Sequence, residues 1–232
     1  MKTIVYIAHP NVNESSSHQF LLSSGRALTD VTYVDLTKEY MEHQAFDVNK
    51  ERKRLVAYDQ IIFQFQLYWY QAPAIMKHWM DQVFNHSYKD YAFIQQLKNK
   101  RLGIVLIAGV KASAYQPGGT EGRVISDLLS PYEVFARHFE MNYLTPFTLH
   151  QFNYLTEFQK MTLMVRYACY LETGASDSFR VLQSYLINKL KQLNANNLAL
   201  TDEEHMVFEI FIQQLSDQAD EIDELYTITE EW

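Results

Sequence analysis

Three stretches of this chain bring together residue types that could do chemistry. The first, Ala8-His9-Pro10-Asn11, leads through Glu14-Ser15-Ser16-Ser17-His18 into a helical pattern. Hydroxyls and free backbone N–H groups at a helix start form an anion site, and phosphate is its commonest occupant. The same serines could instead serve only as helix caps. The second stretch, Gln64-Phe65-Gln66-Leu67-Tyr68-Trp69-Tyr70-Gln71-Ala72-Pro73, sets three aromatic residues in a row ahead of a helix. Three successive side chains cannot all face one core, so at least one should be exposed or stack on a ligand, and a flat apolar cofactor suits that surface. The alternative is that one or two of them wedge beneath the next helix. The third stretch runs from Ala108-Gly109-Val110-Lys111 through Ala114-Tyr115 to Gly118-Gly119-Thr120-Glu121-Gly122. It is long, irregular and glycine-bearing, as loops that close active sites are.

These loops need elements to hold them. The first 150 residues alternate short β-rich apolar runs with helical stretches, the pattern of βαβ units and a parallel sheet. Strands are expected at 2–8, 31–36, 60–65, 102–108 and 143–149, with helices at about 16–28, 49–57, 73–84 and 122–139. Such a sheet gathers its binding loops at the carboxyl ends of its strands, which is where all three stretches fall. Beyond Leu155 the pattern is helical. Ser176 can cap a helix carrying Phe179, Leu182, Leu186, Leu190 and Leu193 at steps of three and four, and Thr201 with Glu204 forms a capping box ahead of Val207, Ile210, Phe211 and Leu215. The segment 193–200, rich in Asn, reads as a hinge.

Composition removes other classes. The 232 residues are 47% hydrophobic, enough for a core, and the formal charge of −8 is wrong for a phosphate-backbone partner. Much of the acidity follows Thr201. The single cysteine, Cys169, excludes an internal disulfide and a cysteine-based metal site. No apolar run approaches the length of a membrane helix and no signal peptide is evident, so a cytoplasmic protein is expected. GxGxxG, GxxxxGK[ST], HExxH and GxSxG are all absent, which argues against an ordinary dinucleotide fold, a P-loop hydrolase, a zincin and a serine hydrolase.

The segment IIFQFQLYWYQAPAIMKHWMDQVF, the opening strand with AHPN and its serines, and AYQPGG with DLLSPYEVFARHFEMNYLTPFTLH together resemble the flavodoxin-like NAD(P)H quinone reductases over about residues 1–155. The resemblance implies an α/β fold with a five-stranded parallel sheet of order 2-1-3-4-5, divided here as a flavin-binding domain at 1–155 and a helical extension at 156–232 that packs on the domain or on a dimer partner. It also implies tightly bound FMN or FAD, a homodimer with active sites at the subunit interface, and alternating reactions. Hydride passes from NADH or NADPH to the flavin, and then to a quinone, nitroaromatic or azo acceptor. Carried onto this chain, His9, Ser15 and Ser17 look like flavin phosphate contacts, and His18 beside them falls among the cofactor-binding positions. Leu67, Tyr68, Trp69 and Tyr70 look like the ring platform, Gln66, Ala108 and Gly109 fall among the cofactor-binding positions, and the resemblance implies Tyr115 near the flavin edge, with Tyr115 and Glu121 as the candidate catalytic residues. Relatives usually carry Asn at the position of His18, Pro at Gln66 and further glycines at Val110-Lys111, while Glu121 lies near where some place a catalytic histidine. Some members of the family serve instead as ancillary subunits of potassium-efflux transporters, so peripheral association with a transporter is the alternative function.

Overall fold

Residues Thr3–Ala8 form β1, and all six are buried. A strand apolar on both faces belongs in the middle of a parallel sheet covered by helices on both sides. The computed structural model describes residues 1–85, 91–175, 178–196 and 200–230. β1 lies between β2 (Val31–Asp35) and β3 (Gln60–Gln66), and β3 pairs in turn with β4 (Arg101–Ala108), all in parallel. The order is β2-β1-β3-β4-β5, as the resemblance implied.

The expected fifth strand is two short ones, β5 (Asn142–Tyr143) and β6 (Phe147–His150), both paired with β4. Pro146 separates them. It has no N–H for the ladder, a loss that an edge position tolerates.

Side chains alternate between two cores. Ile4, Tyr6, Phe63, Phe65, Ile104 and Leu106 face α3 (Val48–Ala57), α4 (Ala74–Val83) and α6 (Ile125–His138), which contribute Leu55, Trp79 and Tyr132. Val5, Ile7, Ile62, Val105 and Ile107 face α1 (Ser16–Gly25) and α7 (Glu157–Thr173), which contribute Leu21, Tyr167, Tyr170 and Leu171. Two further helices, α2 (Leu36–His43) and α5 (Tyr91–Leu97), complete this part. Helix α2 begins without a break after β2, because Asp35 ends the strand and its carboxylate accepts from the N–H groups of Thr37 and Lys38.

The first compact unit spans Met1–Gly174 and the second Ala175–Trp232. The boundary lies beyond residue 155 because α7, opened by a Thr156–Gln159 capping box, buries its inner face in the second core. The second unit holds α8 (Phe179–Asn196) and α9 (Asp202–Glu230), which pack on each other. The Thr201–Glu204 capping box forms as expected. Among the described side chains of α8 the buried one is Ile187, while Phe179, Leu186 and Leu193 of the expected stripe are exposed. Ser176 and residues 197–199 of the expected hinge lie outside the described residues.

Candidate active site

The chain leaves β1 at Ala8 and makes a single helical turn, Val12–Glu14, before α1. The Asn11 side chain accepts from the Asn13 N–H, and Ser15 caps α1 by accepting from the His18 N–H. Capping therefore occurs, and it also points the remaining hydroxyls and the helix N-terminus to one place. Ser15 Oγ and Ser17 Oγ lie 3.2 Å apart, and Ser16 Oγ donates to Asn153 Oδ1 at 2.9 Å. A cavity of about 280 Å³ opens there, lined by His9, Glu14, the three serines, Gln66, Ile107, Ala108 and Gly109, and by Gln151-Phe152-Asn153-Tyr154. No Lys or Arg is among these residues, so an anion would be held by hydroxyls, amides and the helix terminus.

Two histidines stand beside the cavity, with ring centroids 4.9 Å apart. His9 Nδ1 accepts from the Asn11 N–H at 3.1 Å, which leaves its proton on Nε2, 3.1 Å from the Tyr68 hydroxyl. His18 is fully buried. Its Nδ1 lies 3.0 Å from Gln64 Nε2, while its Nε2 has no partner. Burial, reinforced by nearby His9, lowers its pKa to about 3, so the ring is neutral at physiological pH.

After β3 the chain turns on Tyr68-Trp69-Tyr70-Gln71. Tyr68 and Gln71 exchange both backbone hydrogen bonds at 3.0 Å, and the two central residues have φ of 46° and 65°. That is a tight two-residue reversal of the kind normally given to Asn or Gly. Trp69 and Tyr70 pay strain for it, and Trp69 is 92% exposed. Large aromatics in a strained, exposed turn at a strand end suit a flat ligand better than a core. At the neighbouring end of β4, a Cβ placed on Gly109 would meet nothing within 4 Å, so a ring can approach the backbone there. Val110, which follows, does not line the cavity and instead accepts at its carbonyl from His150 Nδ1, 3.0 Å away.

The third loop folds back on itself, with the Glu121 N–H donating to the Ala114 carbonyl at 3.1 Å. This brings Glu121 near Tyr70, whose phenol pKa is raised by the neighbouring carboxylate. Tyr115 is raised by partial burial, then by Glu121 and by Tyr70, so its hydroxyl stays protonated at neutral pH. Its ring lies 5.8 Å from that of His150. The residues named from sequence therefore fall into two clusters. His9, Ser15, Ser17, Gln66, Ala108 and Gly109 line the cavity with His18 beside it, and Tyr70, Tyr115 and Glu121 gather at the next loop. Leu67 packs against the first core, beneath the turn.

Sequence reasoning passed over His150 and Gln151–Tyr154. Their signal was positional: His150 ends β6 and the others follow it, at a carboxyl end that opens on the same edge as those of β1, β3 and β4.

Comparison with known proteins places this arrangement. The model of the flavodoxin-like fold family matches residues 1–168. The chain is 32% identical over 198 residues to the uncharacterized NAD(P)H oxidoreductase YdeQ of Bacillus subtilis (strain 168), covering 85% of this chain and 98% of that protein. A Cronobacter sakazakii relative, the glutathione-regulated potassium-efflux system ancillary protein KefG, is 32% identical over 149 residues, 64% of this chain and 80% of its own. Among solved structures, an NADPH-quinone reductase from P.pentosaceus superposes with a TM-score of 0.65 at 34% identity, over 74% of this chain and 98% of that one. General stress protein 14 of Treponema denticola, in complex with FMN, gives 0.63 at 26% identity, over 80% and 96%. This chain thus belongs to the flavodoxin-like family of NAD(P)H oxidoreductases and quinone reductases.

Proposed function

We propose that this protein binds FMN or FAD and, with NADH or NADPH as electron donor, reduces quinones or similarly flat nitroaromatic or azo acceptors by two electrons in alternating half-reactions. The observation that carries this reading is the meeting of an anion cradle of hydroxyls and backbone amides with a strained aromatic turn and an open backbone approach at Gly109. The chemistry supplied by a bound flavin is two-electron acceptance from a nicotinamide and donation to a second molecule.

The chain's own residues bind and orient. Ser15, Ser17 and the N-terminus of α1 hold the phosphate, and His9 fixes Tyr68 at the near edge of the platform. Trp69 and Tyr70 exclude water from the reacting face and leave room for one flat molecule at a time, which is why donor and acceptor alternate. The protonated Tyr115 phenol offers a hydrogen bond where negative charge develops, and Glu121 orients Tyr70 beside it. The FMN in the Treponema denticola protein favours FMN among the two flavins. Exposed Trp69 and Tyr154 at the site suit the homodimer expected from the family. A cytoplasmic location agrees with the finding that no helix among the described residues is long and apolar enough to cross a membrane.

The test is the visible spectrum of the purified protein before and after anaerobic addition of NADPH or NADH. Flavin bands that bleach establish the first half-reaction. A colourless protein that takes up neither FMN nor FAD sinks the reading and leaves the transporter-ancillary role, which the KefG relative favours.

A further inference from the structure

The second unit carries an apolar face that the packing of its own two helices leaves open. Helices α8 and α9 pack on each other, and among their described side chains the buried ones are Ile187 and Ile212, which mark the face that each helix turns to the other. Phe179, Leu186 and Leu193, at every seventh position of α8, are exposed, as are Val207 and Phe211 on α9. Monomers seldom leave large apolar side chains in a row, and a row at seven-residue spacing is the seam along which helices of a bundle meet.

The placement of the row says what covers it. Leu186 precedes Ile187 by one residue, and Phe211 precedes Ile212 by one. One residue turns an α-helix by about 100°. On both helices the open face therefore lies about a quarter turn from the packed one, and in the same sense when each helix is viewed along its own direction. In a square antiparallel bundle each of the four helices meets its two neighbours on faces roughly a quarter turn apart. Closing that square from two identical hairpins, by a two-fold axis along the bundle, requires the same sense on both helices. A second copy of this hairpin meets the requirement, with α8 of one copy beside α9 of the other.

Charge selects the same pairing. Helix α8 carries Arg180, Lys189 and Lys191 and no carboxylate, whereas α9 carries many carboxylates and no Lys or Arg. Like helices would repel each other, and the two-fold square sets them on its diagonals. On α9 a cavity of about 510 Å³ is lined by Leu200, Val207, Phe208 and Phe211 together with Glu203 and Glu204. Such a groove takes an apolar side chain flanked by a cation, and α8 offers exposed Leu193 two residues after Lys191.

We propose that α8 and α9 join those of a second copy of this chain in an antiparallel four-helix bundle, the Leu186–Leu193 row of each copy seated in the Val207–Phe211 groove of the other. The bundle does not depend on the flavin reading, and it uses different residues from the contact suggested above at Trp69 and Tyr154.

The experiment measures the mass of the full chain by sedimentation equilibrium as its concentration is raised from the nanomolar to the high micromolar range. The wild-type chain should reach at least twice the mass of one copy. Leu186→Gln with Leu193→Gln, at positions already exposed, should halve that mass while far-ultraviolet circular dichroism shows the helices retained. Halving means dimer to monomer, or tetramer to dimer where the Trp69 face also joins copies. Lys191→Glu alone and Glu203→Lys alone should each weaken association about tenfold by placing like charges opposite each other. Mixing these two proteins should restore it, since every contact between unlike copies then pairs opposite charges; a change confined within one hairpin would not be rescued by mixing. A wild-type chain that stays monomeric, a Leu186→Gln/Leu193→Gln protein of wild-type mass, or a mixture that associates no better than its components would overturn the proposal. The mixing result decides the case even if the glutamine variant fails to fold.

Discussion

The imidazole Nε2 of His9 lies 3.1 Å from the hydroxyl of Tyr68. One hydrogen bond thus ties the loop after β1 to the turn after β3, the two pieces proposed above to hold a flavin phosphate and a flavin ring. Because His9 Nδ1 already accepts from the Asn11 N–H, His9 donates to Tyr68 and leaves the phenol's own proton free to meet a ligand.

Tyr68→Phe should therefore remove both the tie and the free donor. A partly exposed neutral hydrogen bond contributes about 0.5–1.5 kcal/mol, so FMN affinity should fall roughly 2- to 12-fold, with melting temperature little changed. Fluorescence titration of FMN against wild-type and Tyr68→Phe protein measures it. Unaltered affinity would mean that the turn is positioned by its backbone alone.

The turn itself should show a trade between stability and function. Trp69 and Tyr70 hold positive φ, and such strain costs of order 1–3 kcal/mol per residue in the less populated regions. Replacing them together by Asn-Gly should stabilise the flavin-free protein by about 1 kcal/mol in urea unfolding while NAD(P)H oxidation falls at least tenfold. A double variant that is no more stable than wild type would show that the turn carries no strain.

Burial of His18 gives the fold a pH dependence with a definite sign. Its folded pKa is about 3 against an ordinary 6.5. Between those values the unfolded chain binds a proton that the folded one does not, so stability is full above pH 6.5 and declines as pH falls toward 3. The slope expected from one such group is about 1.4 kcal/mol per pH unit. Burial is the main cause and the facing His9 adds to it, whereas Gln64 and Tyr167 carry no charge. Urea unfolding at pH 4.5 and 7 should show His18→Asn losing less stability on acidification than wild type; equal losses would mean that His18 is hydrated or charged in the folded state.

How much of this was legible beforehand depended on whether a signal was local. β1, β3 and β4 could be read as buried runs because both faces are covered, and the serines and the aromatic row announced themselves by residue type. Helix α2 could not be read, since Asp35 is at once a strand end and a cap and no turn residue separates Val34 from Leu36. The edge strand was broken by Pro146, whose effect depends on what lies beside it. His150 and the Gln64–Tyr167 link were invisible because they join residues 40 and 103 positions apart, and only packing brings these together.

The closeness of α7 to the sheet gives the last prediction. Gly103, in the middle of β4, has no side chain because Tyr170 occupies the space: an added Cβ would lie 2.6 Å from the Tyr170 hydroxyl oxygen and 3.1 Å from the ring carbon that bears it. Both are fixed in the core, with Tyr170 fully buried, so neither can move aside cheaply. Gly103→Ala should destabilise the protein by about 1–3 kcal/mol, the usual cost of overpacking. Tyr170→Phe removes the nearer atom but leaves the ring, so in the Tyr170→Phe background Gly103→Ala should cost about half as much. A double-mutant cycle of urea unfolding free energies reads this directly. Additive effects would show that α7 shifts as a body to accept the methyl group, and that the second core is softer than the sheet it covers.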